Sequence, residues 1–264
     1  MRIRQIITEA PQLGLPEFQG LLSDGEHVAA WAREHEKQLK GFIQAHCGRW
    51  MAESQSRPAW RGFKSASEAP AFVRPIRKDR RPRDSDLEQN RWLNALLTIA
   101  RSPATRQNSL FVTGNIDEAA NYGHVHRVFL MGDFHYAWMP GEVDWGEMAG
   151  RNGQRSILDL IDPERVVGSM AYEDLLNDDA LEPMIRDMLP DLDPDEAVET
   201  IWHEAGSLIE WLDPDFLDPY QVRKAIQVDR GLAKAISTGV ELMVTGEQAF
   251  SLDWHAANAI GLGE

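Results

Sequence analysis

The chain has 264 residues, of which 43 % are hydrophobic and 26 % charged, the composition of an ordinary globular protein of one large or two small domains. No apolar stretch approaches the roughly 18 residues of a membrane span, and the first residues contain no apolar secretory segment. The only cysteine, Cys47, excludes an internal disulfide and a cysteine-based zinc site. These features predict a reducing, cytoplasmic setting.

The net charge of −15 argues against generic binding to nucleic acid or to an anionic membrane. The acidic residues are, however, unevenly distributed. Residues 142–218 hold 22 acidic side chains and four arginines, a balance of −18, so the rest of the chain carries +3. Six basic residues lie between Arg74 and Arg83, and Pro75 and Pro82 predict that this run is a loop. The chain therefore has a basic part and an acidic part.

The N-terminal third is predicted to be mainly helical. Residues 1–22 are interrupted by prolines and predict an extended arm. Apolar side chains then recur every three or four residues, which predicts one amphipathic helix over 26–50. Residues 59–63 predict a short strand with Arg61 at its centre. Because burying a guanidinium without a partner is costly, the alternative is an edge strand on which Arg61 faces solvent. Residues 84–86 are typical of a helix cap, for a second helix that runs to about residue 99.

The middle of the chain predicts strands and turns. Residues 109–113 form a predicted strand, followed by a turn and a short helix from Asp117 to Gly123. Two apolar runs on either side of Gly132 and Asp133 predict a hairpin over 127–138.

The last third predicts short acidic helices from residue 150 to about 220, then a longer helix over 221–236 that stops before Gly239. A second hairpin is predicted over 241–252, with Glu241 as its first residue. Helices that flank short paired strands indicate the α+β class with an antiparallel or mixed sheet.

Two patterns suggest metal sites without completing one. His203 and Glu204 begin like the helix of zinc proteases, but Ser207 stands where a second histidine is required. His124 and His126 have a metal-like spacing on one strand face, but no third ligand is near in sequence. The alternative is a pair of histidines at a strand edge, and we expect no metal.

Three features remain: Arg61 in a strand, the strand from Ser109 to Thr113 before a short helix, and Glu241 opening a late strand. In this order they resemble the Arg–Ser–Glu layout of the ADP-ribosyltransferases. The combination of the arginine-rich run and Phe111–Gly114 is also similar to uncharacterised proteins of tailed bacteriophages.

The resemblance implies a cofactor, NAD, and a role for each matching residue. Arg61 and Gly62 are similar to the first strand of the family, whose arginine supports the NAD phosphates and ribose. Glu241 corresponds to the catalytic glutamate. Ser109 and Thr113 would order the site. By their chemistry, Phe111 or Tyr122 would stack on the nicotinamide. Arg74, Arg77 and Arg80 would cover the cofactor or receive an acidic target.

The chain departs from the family pattern at two places. The second motif of the family is a strand that reads Ser-Thr-Ser, whereas the matching strand of this chain ends in Val-Thr-Gly, so Thr113 or Ser109 has to supply the hydroxyl. Gly239 stands where the family usually has a Glu or Gln two residues before the catalytic Glu241. Since that residue helps to activate an arginine or asparagine acceptor, the resemblance does not extend to those acceptors.

The expected organisation is an arm and helix over 1–56, then an ADP-ribosyltransferase-like domain over 57–264 with an acidic helical insertion at about 150–220. The expected function is transfer of ADP-ribose from NAD to a host macromolecule by a phage-encoded enzyme. One alternative is a catalytically inactive virion, assembly or host-interaction protein whose acidic segment docks on a basic partner. Another is an acidic segment that mimics nucleic acid.

Overall fold

A computed structural model describes residues 14, 24–64, 69–79, 87–141, 160 and 217–263. Apart from residue 14, the arm predicted for residues 1–22 lies outside these residues, as do nearly all of the acidic segment and the zinc-protease-like pattern at His203–Ser207. The chain divides into two compact units. The first comprises Met1–Arg81, Ser102–Val143 and Gln227–Glu264, and the second comprises Pro82–Arg101 and Asp144–Ile226.

Three short helices occupy the region where one was predicted: α1 (Gly25–Glu34), α2 (Glu36–His46) and α3 (Gly48–Ser54). The single helix over 26–50 is therefore wrong. The chain leaves helical geometry at His35, whose ring donates a hydrogen bond to the carbonyl of Trp31 at 2.8 Å, and again at Cys47. Apolar residues keep a helical spacing across the break at His35, so hydrophobic periodicity alone does not predict that the helix ends there.

Six described strands form one sheet. They are β1 (Trp60–Phe63), β2 (Ala71–Pro75), β3 (Leu110–Thr113), β4 (His124–Trp138), β5 (Gln227–Val228) and β6 (Glu241–Asp253). All pairings are antiparallel, in the order β2-β6-β3-β1-β4-β5. Because β4 also pairs with β6, the sheet closes on itself. The α+β class with an antiparallel sheet is thus confirmed.

Both predicted hairpins are wrong, because β4 and β6 are single long strands. They pair with each other from His126↔Asp253 to Trp138↔Leu242. One extra residue of β4 forms a bulge between Met131 and Phe134, where Gly132 has a φ of +65°. The bulge bends β4 without reversing it. Each strand supplies hydrogen-bond partners for the backbone N–H and C=O groups of the other. Turn residues in the sequence do not reveal this long-range pairing.

The remaining described helices are α4 (Leu87–Ile99), α5 (Ile116–Ala120), α6 (Pro219–Ala225), α7 (Leu232–Thr238) and α8 (Trp254–Ala259). Of these, α4 and α6 belong to the second unit. The helix predicted over 221–236 is wrong, because β5 separates α6 from α7. The chain turns there through positive φ angles at Asp229 and Gly231, which no helix accommodates.

Helices cover one face of the sheet in the first unit. Phe42 of α2 contacts Phe250 of β6 with ring centroids 5.1 Å apart, and Trp50 of α3 contacts Phe134 of β4 at 5.3 Å. Much of the buried core lies between these helices and the sheet. The opposite face also buries apolar side chains, among them Val128, the register partner of Ser251, and it carries the candidate site.

Candidate functional site

The face of the sheet opposite α2 and α3 carries a group of polar and aromatic side chains. Arg61 pairs in register with His126, and His126 pairs with Asp253. On the other side of β6, Phe72 pairs with Ser251. Cross-strand partners in an antiparallel sheet point to the same side. We call this side the polar face; its members are Arg61, Phe63, Phe72, Arg74, His126, Ser251 and Asp253.

Three aromatic rings form the centre of the polar face. The ring centroids of Phe63 and Phe72 lie 5.7 Å apart, and each lies close to that of His126, at 5.1 Å and 5.4 Å respectively. All three pairs meet edge to face, the arrangement that the ring quadrupoles favour. Residues from three strands, β1, β2 and β4, thereby hold one another in place.

Two arginines meet at Phe63. The guanidinium carbon of Arg74 lies 4.8 Å from the ring centroid of Phe63, and that of Arg61 lies at 5.5 Å. Arg61 also donates a hydrogen bond of 2.6 Å to the carbonyl of Phe111. Both arginines are half-buried. Because β1 pairs with both β3 and β4, the alternative of an edge strand with Arg61 in solvent is wrong.

His126 is fully buried, so the alternative of a pair of histidines at a strand edge is also wrong. Its Nδ1 donates a hydrogen bond of 3.2 Å to the carbonyl of His124, whereas its Nε2 has no hydrogen-bond partner among the described residues. Burial lowers the pKa of His126, and the neighbouring His124 and Arg74 side chains add to this, while the hydrogen bond to the His124 carbonyl and the Asp253 carboxylate oppose it. The neutral imidazole thus presents an unpaired nitrogen to the polar face.

Ser251 and Asp253 lie beside His126 on β6. Ser251 is fully buried, and its hydroxyl has no hydrogen-bond partner within the described part of the chain. Asp253 caps α8, accepting hydrogen bonds from the backbone N–H groups of His255 at 2.8 Å and Ala256 at 3.4 Å. The carboxylate is therefore held by backbone donors, while the serine hydroxyl remains available.

Thr113 and Glu241 are cross-strand partners at the end of β3 and the start of β6. On its other side β3 pairs with β1, where Trp60 is the register partner of Thr113. Because cross-strand partners point to the same side and successive residues alternate, Arg61 points away from Thr113 and Glu241. The register therefore brings the predicted residues Arg61, Thr113 and Glu241 onto three neighbouring strands, but it does not place all three on one face.

Thr113 also connects two chain segments. Its hydroxyl donates to the carbonyl of Gly239 at 2.7 Å and accepts from the backbone N–H of Asn115 at 3.0 Å. Gly239 ends α7 with a φ of +75°. The threonine hydroxyl is thus engaged in positioning the start of β6, and Glu241 with it.

Other predicted site residues lie apart from this group. Ser109 is buried and donates to the side chain of Asn108 at 3.1 Å; it precedes β3 at the end opposite Thr113, about 13 Å away along an extended strand. Arg77 is exposed and lies 3.6 Å from the carboxylate of Asp79. Tyr122 is exposed beyond the end of α5.

Gly62 has a structural role in bringing α5 against β1. A Cβ atom at this position would lie 2.1 Å from the carbonyl oxygen of Ala119 and 2.8 Å from the backbone of Tyr122. Only glycine permits this approach. The residue next to Arg61 therefore positions the helix that follows the second motif.

Sequence reasoning missed Phe63, Phe72, Ser251 and Asp253 as site residues, and it left His126 as a strand residue without a role. Their strands are far apart in the chain, and only the register brings them together. One signal was present at Asp253, a capping residue between a strand and a helix.

Among the described residues, no group of three His, Cys, Asp or Glu side chains is placed to hold a metal ion. No helix in the described ranges is long and apolar enough to cross a membrane. Comparison with protein-family models, with curated proteins and with solved structures finds no match for this chain.

Proposed function

We propose that this chain is an NAD-dependent ADP-ribosyltransferase that modifies a macromolecule in the cytoplasm of a phage host. The observation that carries the proposal is the register of Thr113 with Glu241, with Arg61 on β1, the other strand that pairs with β3. The three residues on which the resemblance to ADP-ribosyltransferases rests are distant in sequence, yet they lie on three neighbouring strands of the sheet.

Arg61 and Arg74 are suited to hold the diphosphate of NAD. A guanidinium binds phosphate oxygens in a planar, bidentate fashion, and both guanidinium groups lie within 5.5 Å of the Phe63 ring. The cation–π contacts and the bond from Arg61 to the Phe111 carbonyl order these long side chains before the ligand arrives. Less side-chain entropy is then lost on binding.

Glu241 is the residue proposed to act on the ribose. When the bond between C1′ and the nicotinamide nitrogen breaks, the electron pair stays with nicotinamide, which leaves neutral, and positive charge develops on the sugar. A carboxylate that accepts a hydrogen bond from the 2′-hydroxyl stabilises this charge. A nucleophile of the acceptor then forms a bond to C1′ and releases its proton to solvent.

Glu241→Gln tests this proposal, with Glu247→Gln as the matched control on the same strand. Glu247 is exposed and lies six residues along β6 from Glu241. We expect Glu241→Gln to slow nicotinamide release from NAD, measured by chromatography, by about 100-fold or more, and Glu247→Gln to retain it. Undiminished release in Glu241→Gln contradicts the proposal. Binding of NAD by the parent protein without any release favours the catalytically inactive host-interaction protein instead.

A further inference from the structure

Two buried polar atoms on the polar face have no hydrogen-bond partner among the described residues: Nε2 of His126 and the hydroxyl of Ser251. Both residues are 0 % exposed. Ser251 lies two residues from Asp253, the register partner of His126, so the two side chains are diagonal neighbours on adjacent strands. An unsatisfied buried polar group destabilises the fold, and two at one place indicate a ligand that completes them.

The charges around these atoms identify the kind of ligand. Arg61 approaches from β1 and Arg74 from β2, and both lie over Phe63, which contacts His126. His124 on the same strand and Arg74 are close enough to His126 to disfavour its protonation. Asp253 is the described carboxylate that lies close enough to His126 to favour its protonation, and it already accepts two backbone hydrogen bonds. The surroundings are therefore positive and match an anion.

We propose that the polar face binds a phosphate or diphosphate ester through Arg61, Arg74, Ser251 and His126, and that His126 takes up one proton from solvent as the ligand binds. This inference deepens the proposed function by assigning two further ligand contacts and a proton to the same site. Neither residue belongs to the Arg–Ser–Glu layout.

The hydrogen-bonding pattern of His126 explains the proton. Its Nδ1 donates to the carbonyl of His124, so in the neutral ring Nε2 carries only a lone pair. Phosphate oxygens also offer lone pairs, and the two would repel. Protonation turns Nε2 into a charged donor, while the phosphate offsets the positive charge of Arg74 that disfavours it. Ser251 supplies a neutral donor beside it.

Isothermal titration calorimetry with pyrophosphate and with ADP-ribose tests this inference. Titrations from pH 6 to pH 8, in two buffers with different ionisation enthalpies, measure the protons taken up per ligand. We expect uptake that approaches one proton and an affinity that falls by up to about tenfold per pH unit as the pH rises.

Two variants connect the uptake to named residues. His126→Phe keeps an aromatic ring against Phe63 and Phe72, and we expect it to abolish the proton uptake. Ser251→Ala removes an unpaired hydroxyl, so it is expected to fold normally and to weaken binding about tenfold.

The matched controls are His46→Phe and Ser237→Ala, at exposed helix positions. Both are expected to bind ligand and take up a proton as the parent protein does. Circular dichroism checks the fold of each variant.

Absence of binding by pyrophosphate and ADP-ribose overturns the inference, as does binding without proton uptake or an uptake that persists in His126→Phe. If Ser251→Ala binds as tightly as the parent protein, the serine contact is wrong. A chain that binds ADP-ribose with proton uptake but does not release nicotinamide from NAD retains this inference and contradicts the proposed function. Nicotinamide release that depends on Glu241, without proton uptake on binding, supports the proposed function and overturns this inference.

Discussion

The hydroxyl of Thr113 donates a hydrogen bond of 2.7 Å to the carbonyl of Gly239, 126 residues further along the chain. The same hydroxyl accepts from the backbone N–H of Asn115 at 3.0 Å. One side chain thus joins the end of β3, the start of α5 and the end of α7, two residues before Glu241. The placement of the proposed catalytic carboxylate depends on this connection.

Thr113→Val is expected to lower the free energy of unfolding by about 1–3 kcal/mol, because it leaves the Gly239 carbonyl and the Asn115 N–H without their partner. Thr113 is 7 % exposed, so water replaces the lost bonds poorly. Thr113→Ser keeps the hydroxyl and should be the milder change. Urea denaturation measures both, and a valine variant as stable as the parent protein contradicts the role given to this bond.

Arg61→Lys is expected to raise the Kd for ADP-ribose by about tenfold or more. Lysine keeps the positive charge but loses the planar, bidentate group that binds phosphate and stacks on Phe63. Arg230→Lys is the control, since Arg230 is exposed and follows β5, away from the polar face. Calorimetric titration compares the two variants. Equal affinities would show that Arg61 does not contact the ligand.

The stability of the protein should depend on pH through His126. Its pKa in the folded chain is lowered, mainly by burial, so below about pH 6.5 the unfolded chain binds more protons than the folded one. The free energy of unfolding therefore falls as the pH falls from 6.5 toward the lowered pKa. Urea denaturation between pH 5 and pH 8 should show a smaller loss in His126→Phe than in the parent protein. The same slope in both chains would refute this assignment, and His46→Phe serves as the control.

Gly62→Ala and Gly41→Ala are expected to change stability in opposite directions. A Cβ at Gly62 would lie 2.1 Å from the Ala119 carbonyl oxygen, so the backbone of β1 or α5 must move, and we expect a loss of about 1–3 kcal/mol. Nothing lies within 4 Å of a Cβ at Gly41 in α2, where alanine should stabilise the helix by about 0.5–1 kcal/mol. Thermal unfolding compares the two, and a stable Gly62→Ala contradicts the close packing of α5.

Local patterns in the sequence predicted several elements well. The strand before Thr113, the short helix that follows it and the stop at Gly239 lie where turn and capping residues indicated them. These signals act within a few residues, so they can be read without the rest of the chain. Predictions for segments whose structure depends on distant pairing partners were wrong. Gly132 and Gly246 predicted hairpin turns, but pairing between β4 and β6 draws both segments into long strands.

The sequence by itself determined the α+β class, the strand that carries Arg61 and the short elements around Thr113, because backbone propensity, capping and turn chemistry are local. Only the tertiary structure decided that Thr113 pairs with Glu241, and that His126 and Ser251 lie beside Arg61 and Arg74. Strand register arises from side-chain packing between segments up to 181 residues apart, as for Ala71 of β2 and Leu252 of β6. A shift of one residue would send these side chains to the opposite face, so the polar face exists only once the sheet has formed.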